Sequence, residues 1–133
     1  NEHIKNKLRP AIKNKNIIIC DRFIDSTLAY QVYGKKVSLN FIKNIHQKIL
    51  GNIQPDLTIV LKVKKNSFLK RLKKRKIKNR YDNFPVSFYL KAQNAFINLS
   101  KKSKRHIVLD SSENTPDLQK RIFDLVKKKI GFK

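Results

Sequence analysis

Asp21 and Arg22 stand side by side directly after the apolar run Ile17-Ile18-Ile19-Cys20, at the head of the segment Asp21-Arg22-Phe23-Ile24-Asp25-Ser26-Thr27-Leu28-Ala29-Tyr30-Gln31. An aspartate at the carboxyl end of a buried strand can hold a metal-bound water or orient a nucleophile. An adjacent guanidinium can grip a phosphate through two parallel hydrogen bonds. The same pair can equally be an aspartate capping the following turn beside a solvent-facing arginine. A second concentration of chemistry runs from Lys62 to Arg80, with eleven basic residues and no acidic one. So local an excess of positive charge should meet phosphate, on a nucleotide or on a nucleic acid. Within it Arg71 and Arg75 are four residues apart, which puts them on one face of a helix, and Arg80 follows in the loop beyond. The alternative for this stretch is a solvated basic face.

Such residues act only where secondary structure places them. Ile4, Leu8, Ala11 and Ile12 recur at helical spacing, predicting an amphipathic helix over residues 2–14 with a kink at Pro10. Asn16 to Cys20 is short, β-branched and apolar, the pattern of a strand buried on both faces. Thr27 to Val32 predicts a short helix closed by Gly34, and Phe41, Ile42, Ile45 and Ile49 mark another closed by Gly51. Leu57 to Val63, introduced by Pro55-Asp56, predicts a second buried strand, followed by a basic helix from about Ser67 to Lys76. Asp82 or Asn83 can cap the next helix, about twenty residues long, with Pro85 in its first turn. Its apolar stripe is Phe88, Ala92, Ala95, Phe96 and Leu99. His106 to Leu109 predicts a third strand, and Thr115-Pro116-Asp117 opens a last helix that buries Leu118, Ile122, Leu125, Val126 and Ile130. Short apolar strands alternating with amphipathic helices predict an α/β fold, a parallel sheet with helices on both faces, which binds ligands at the carboxyl ends of its strands. Asp21 and Arg22 would lie at such an end.

Composition bounds the rest. With 133 residues, 40% of them apolar and 31% charged, the chain predicts a single domain with a real core. No apolar run approaches the length of a membrane span, which rules a span out; no membrane partner is expected, and the first ten residues carry no targeting segment. The net charge is +23, but 25 of the 32 basic residues are Lys, and Ile (16) and Asn (13) are also abundant. All three have A/T-rich codons, so genomic bias can supply much of that charge without any polyanion. The single cysteine, Cys20, cannot form an internal disulfide, and at the end of an isoleucine run it predicts a buried thiol in a reducing compartment such as the cytoplasm.

The string Asp-Arg-Phe-x-x-Ser-Thr-x-Ala-Tyr-Gln at residues 21–31 resembles the signature of the thymidylate kinases, and its surroundings match in order. Upstream, His3 and Leu8-Arg9-Pro10-Ala11-Ile12 resemble that family's helix ending in Ile-x-Pro-Ala-Leu. Downstream, Pro55-Asp56-Leu57-Thr58-Ile59-Val60-Leu61 resembles its fourth strand, and Arg71, Arg75 and Arg80-Tyr81-Asp82 fall in its arginine-rich lid, residues 64–82. Phe88 and Phe96 on the next helix, and Leu109-Asp110-Ser111 at the last strand, continue the match over essentially the whole chain. The resemblance implies a P-loop nucleoside monophosphate kinase fold with sheet order 2-3-1-4-5. It implies transfer of the γ-phosphoryl group of ATP to dTMP, giving dTDP, with Mg²⁺, in a cytoplasmic enzyme that is commonly a homodimer.

Carried over by position, Arg22 would hold the dTMP phosphate, and Asp21 would position the acceptor phosphate and the magnesium's water shell. Ser26 and Thr27 would line the thymine pocket, Tyr30 would lie against the sugar, Gln31 would complete the nucleoside site, and Tyr81 would lie near the sugar. For Ser26 and Gln31, ordinary turn and helix hydrogen bonding is the alternative. Arg71, Arg75 and Arg80 would close over the donor phosphates, and the loop after Asp110, with Ser111, would face adenine. Lys62 stands where the family commonly has an acidic residue, and Asn79 replaces the usual Asp before Arg80.

A P-loop, Gly-x-x-x-x-Gly-Lys-Ser/Thr, is absent: the glycines are Gly34, Gly51 and Gly131, and none begins or ends one. The resemblance therefore implies the last two thirds of such a kinase, its first two strands lying before Asn1 and the isolated portion inactive. A basic nucleic-acid binder with Lys62 to Arg80 tracking a backbone is the other class, although no recognition motif accompanies the run.

Overall fold

In the computed structural model, which describes residues 2–74, 84–112 and 115–131, the first amphipathic stretch winds in two ways. Ile4–Leu8 is a π-helical turn and Arg9–Lys13 is α1. The change of winding falls next to Pro10, which has no N–H to donate. Leu8 is buried. Lys15 closes the helix in the left-handed region at φ 55°. Its N–H donates to Ile12 O at 2.9 Å and that of Asn16 to Ala11 O at 2.9 Å. This is the paired closure usually built on glycine, made here with lysine.

The chain divides into two compact units, Asn1–Gln54 and Pro55–Lys133. In the first, the strand expected at Asn16 to Cys20 does not form. The segment is irregular, Ile17 and Ile19 are 65% and 92% exposed, and the Cys20 thiol, expected to be buried, is exposed. β-branched residues favour a strand only where a neighbour completes the ladder, and no strand is present among the described residues of this unit.

After a bend at residues 21–22, α2 (Ile24–Thr27) runs directly into a π-helical stretch, Leu28–Gly34. It therefore starts three residues earlier than the sequence predicts. Asp25 and Ala29, one turn apart, are its buried residues. Gly34 does not close it: the left-handed stop is Lys36 at φ 61°, whose N–H donates to Val32 O at 3.0 Å. Ser38 then caps α3 (Leu39–Leu50), accepting from the Phe41 N–H, and Gly51 ends that helix at φ 60°. Ile42 and Leu50 face the interior, whereas Phe41, expected on the buried stripe, is 57% exposed.

The second unit holds the sheet. β1 (Thr58–Lys62) and β2 (His106–Asp110) pair in parallel, in register from Thr58 opposite His106 to Lys62 opposite Asp110. A parallel pair needs a long crossover, and here it contains α4 (Lys65–Lys74) and α5 (Val86–Ser100). α5 is fifteen residues long and lies against both strands. Its buried residues Phe88, Ala92 and Ala95 recur at helical spacing, and the small alanines suit a helix lying against the strands, where Val60 and Leu109 are also buried. Pro85 occupies the cap position of α5, not its first turn, and the alternative caps Asp82 and Asn83 lie outside the described residues.

α6 (Pro116–Ile130) opens as predicted, with Thr115 accepting from the Leu118 N–H at 3.3 Å and Pro116 in the first turn. Its apolar stripe is less buried than the pattern implies. Leu118, Ile122, Leu125 and Val126 are half-buried, and Ile130 is 43% exposed.

Leu109 on β2, 2% exposed, is the largest fully buried side chain among the described residues. Leu109→Ala is expected to cost about 2–5 kcal/mol, from lost transfer energy plus the residual cavity. Denaturant unfolding of the two proteins measures it, and a loss below about 1 kcal/mol would show that β2 is not part of the core.

Candidate functional site

Two groups of polar residues emerge, one in each unit. The first is the turn that joins the irregular segment to α2. Arg22 adopts φ 68°, a left-handed conformation that costs a β-carbon-bearing residue about 1–3 kcal/mol and persists where its surroundings enforce it. The Cys20 thiol donates to Arg22 O at 3.4 Å. The Arg22 guanidinium carbon lies 5.8 Å from the centre of the Tyr30 ring, a cation–π distance.

Arg22 and Tyr30, expected to serve the same ligand, are thus brought together by the turn and the helix after it. The cap position of α2 is Phe23, which has no side-chain acceptor, so the reading of Asp21 as a helix cap fails. Asp21 is exposed at the bend, and Ser26, Thr27 and Gln31 are half-buried on the helical stretch that follows. The Ser26 N–H donates to Phe23 O at 3.0 Å and starts the helix.

Sequence reasoning missed Asp25 and His46. Asp25 is only 8% exposed, and its i, i+4 relation to the wholly buried Ala29 was the available signal. His46, half-buried on α3, has its pKa lowered, first by burial and against the opposing attraction of the Asp25 carboxylate. With the folded pKa below the unfolded value of 6.5, the unfolded chain binds more protons in the interval between them. Stability is therefore full above about pH 6.5 and falls as the pH drops through that interval. The melting temperature should decline from pH 7.5 to 5.5, and His46→Gln should flatten the decline. An unchanged slope in the variant would remove His46 as its source.

The second group lies at the carboxyl ends of β1 and β2, where an α/β sheet presents ligands. Ser111 continues the ladder past the last paired residue, its N–H donating to Lys62 O at 2.8 Å and its hydroxyl to the same oxygen at 3.1 Å. The Ser112 N–H donates to Asp110 Oδ1 at 2.9 Å, and the Ser112 hydroxyl accepts from the Lys64 N–H at 2.8 Å. Gln93 of α5 accepts from the Val63 N–H at 2.8 Å through its side-chain oxygen.

Lys62 Nζ is 3.8 Å from Asp110 Oδ2, so the lysine that departs from the family pattern is paired across the strand ends. The Asp110 carboxyl is held below its usual range, first by the hydrogen bonds from Ser112 and then by the charges of Lys62 and Lys64. From α4, Arg71 Nη2 donates to Ser111 O and reaches Ser112 O at 3.4 Å. Arg71, Asp110 and Ser111, expected on the donor side, are thereby brought together. Ser112, Lys64 and Gln93 join them unforeseen, because their roles depend on crossover connections that periodicity does not reveal. Arg75, Arg80 and Tyr81 lie outside the described residues.

Among the described residues no three His, Cys, Asp or Glu side chains cluster as a metal cage, and no helix is long and apolar enough to cross a membrane. A sequence description of the family "Thymidylate kinase" matches residues 1–122. The chain is similar to the thymidylate kinase of Rickettsia bellii (strain OSU 85-389), 33% identical over 131 residues, 98% of this chain and 62% of the relative. It is 36% identical to that of Wolbachia pipientis subsp. Culex pipiens over 131 residues, 96% of this chain and 62% of the relative. The crystal structure of thymidylate kinase from Ehrlichia chaffeensis superposes with a TM-score of 0.68 at 25% identity, covering 94% of this chain and 57% of that one. The chain thus spans less than two thirds of the length of these relatives.

Proposed function

Since this chain belongs to the thymidylate kinase family, we propose that it carries the acceptor side and part of the donor side of an enzyme that transfers the γ-phosphoryl group of ATP to dTMP, giving dTDP and ADP. The observation that supports this most directly is Arg22, held at φ 68° beside the Tyr30 ring within the Asp-Arg-Phe segment. A guanidinium set against an aromatic ring is an oriented cation, and orientation is what phosphoryl transfer asks of a protein. Arg22 grips the acceptor phosphate, Tyr30 carries the sugar, Ser26 and Thr27 line the thymine pocket and Gln31 completes it. Tyr81 lies near the sugar. On the donor side, Arg75 and Arg80 of the lid offset charge developing on the transferred group, and the loop at Asp110 and Ser111 faces adenine.

Mg²⁺ keeps several waters and takes one or two carboxylates together with substrate phosphates. An exposed aspartate at a phosphate-gripping turn suits that donor set, so Asp21 would hold the ion through its water shell. When bound, the ion supplies charge neutralisation between the phosphates. The same reading places the enzyme in the cytoplasm with its two nucleotides and allows a homodimer of the complete protein.

The test is a coupled assay on the protein expressed from its complete gene. ADP release that requires dTMP, ATP and Mg²⁺ together, with dTDP as product, is expected. ADP release that is independent of dTMP, or a strong preference for another nucleoside monophosphate, would overturn the assignment.

A further inference from the structure

We propose that Asp25 is a positioning residue of the acceptor site: its buried carboxylate fastens the start of α2 to α3 and thereby fixes where Arg22, Ser26 and Thr27 meet dTMP. This role deepens the kinase reading and rests on it for the identity of the ligand.

In a chain whose net charge is +23, the only charged side chain buried among the described residues is an acid, Asp25, 8% exposed. Aspartate is almost never buried unless its surroundings satisfy it, because leaving water costs a carboxylate its hydration. Asp25 follows Arg22 by three residues and stands directly before Ser26 and Thr27. The inward charge thus lies inside the segment assigned to the acceptor nucleotide, yet it takes no part in the contacts assigned there.

The elements around it give the carboxylate something to hold. Asp25 and the wholly buried Ala29 are the inward residues of the stretch from Ile24 to Gly34, and α3 lies against Leu28–Gly34. From that neighbouring helix His46 feels the Asp25 charge, which opposes the effect of burial on the imidazole. α2 also lacks a side-chain cap, since Phe23 occupies the cap position. Its start therefore rests on the Ser26 N–H bond to Phe23 O and on the inward side chain that comes next in the turn.

An apolar residue at position 25 would fill space and accept many small displacements of the helix. A buried carboxylate accepts only those arrangements that keep it satisfied. The residues on either side of it inherit that restriction, and a small misplacement of groups that orient a phosphate costs catalysis steeply.

Asp25→Ala and Asp25→Asn, made in the protein expressed from its complete gene and assayed well below their melting temperatures, test the role. The alanine variant is expected to lower kcat/KM for dTMP about tenfold, mainly through KM, while KM for ATP stays within about twofold of the parent. The asparagine variant keeps the shape and part of the hydrogen bonding, so it should fall between, and it preserves the test should the alanine variant fold poorly. In the asparagine variant the His46 imidazole should titrate at a lower pH than in the parent, because the attraction that opposed burial is gone. Amide hydrogen exchange at Ser26 and Thr27 should quicken. A lowered melting temperature with KM for dTMP unchanged would reduce Asp25 to a structural residue and overturn the proposal, as would an equal rise in KM for ATP. Absence of dTMP phosphorylation in the parent protein would instead overturn the kinase reading, and the His46 titration with the exchange measurement would still decide whether Asp25 fastens α2 to α3.

Discussion

A polypeptide of residues 1–133 alone is expected to form no dTDP from ATP and dTMP. Phosphoryl transfer involves little covalent work by the protein and depends on donors fixed in advance around the phosphates, chiefly the backbone N–H groups, lysine and hydroxyl of a P-loop. That loop needs Gly-x-x-x-x-Gly-Lys-Ser/Thr, and Gly34, Gly51 and Gly131 are placed in no such pattern. Gly51 and Gly131 each end a helix at positive φ, which is structural work of another kind. A basic helix cannot take the loop's place, because lysines on flexible stems offer charge without the converging N–H groups. The check is a direct assay of purified residues 1–133 by chromatographic detection of dTDP. Turnover above the uncatalysed background would show that some other group in this chain cradles the donor phosphates.

The legibility of this chain in its sequence was uneven, and the reasons are physical. The close of α3 and the opening of α6 could be placed within a residue or two because their signals are local: Gly51 takes a positive φ just past Leu50, and Thr115 accepts the Leu118 N–H three residues on. The stops at Lys15 and Lys36 could not be read, since lysine has no preference for positive φ and is held there by the surrounding chain. β1 and β2 were legible as apolar runs, and they form because each provides the other's ladder. Ile17-Ile18-Ile19 carries the same pattern and stays irregular, because β-propensity expresses fit to a neighbouring strand and not an intrinsic habit of the backbone.

The candidate site divides in the same way. Asp21, Arg22 and Tyr30 could be named from one contiguous segment, and the turn does bring the guanidinium to the ring. The meeting of Arg71 with Ser111 and Ser112 joins residues forty positions apart across a parallel crossover, and no periodicity encodes that.

Arg22→Ala, in the protein expressed from its complete gene, is expected to lower kcat/KM for dTMP by about 30- to 1,000-fold, the equivalent of about 2–4 kcal/mol of transition-state stabilisation. A guanidinium on the acceptor phosphate both aligns it and offsets the charge it brings beside the donor, so kcat and KM should suffer together. Arg22→Lys should recover only part, because one ammonium cannot make two parallel bonds.

The left-handed backbone at Arg22 adds a control that separates function from folding. Alanine keeps the strain of φ 68°, but glycine adopts that conformation freely, so Arg22→Gly should lose as much activity as Arg22→Ala while unfolding at a higher temperature. The expected gain over alanine is about 1 kcal/mol. Together, an inactive glycine variant and a raised melting temperature would mean that the turn maintains strain in order to aim a cation. If Arg22→Gly kept the parent's kcat/KM, the guanidinium would have no part in holding dTMP, and the strained turn would need another explanation.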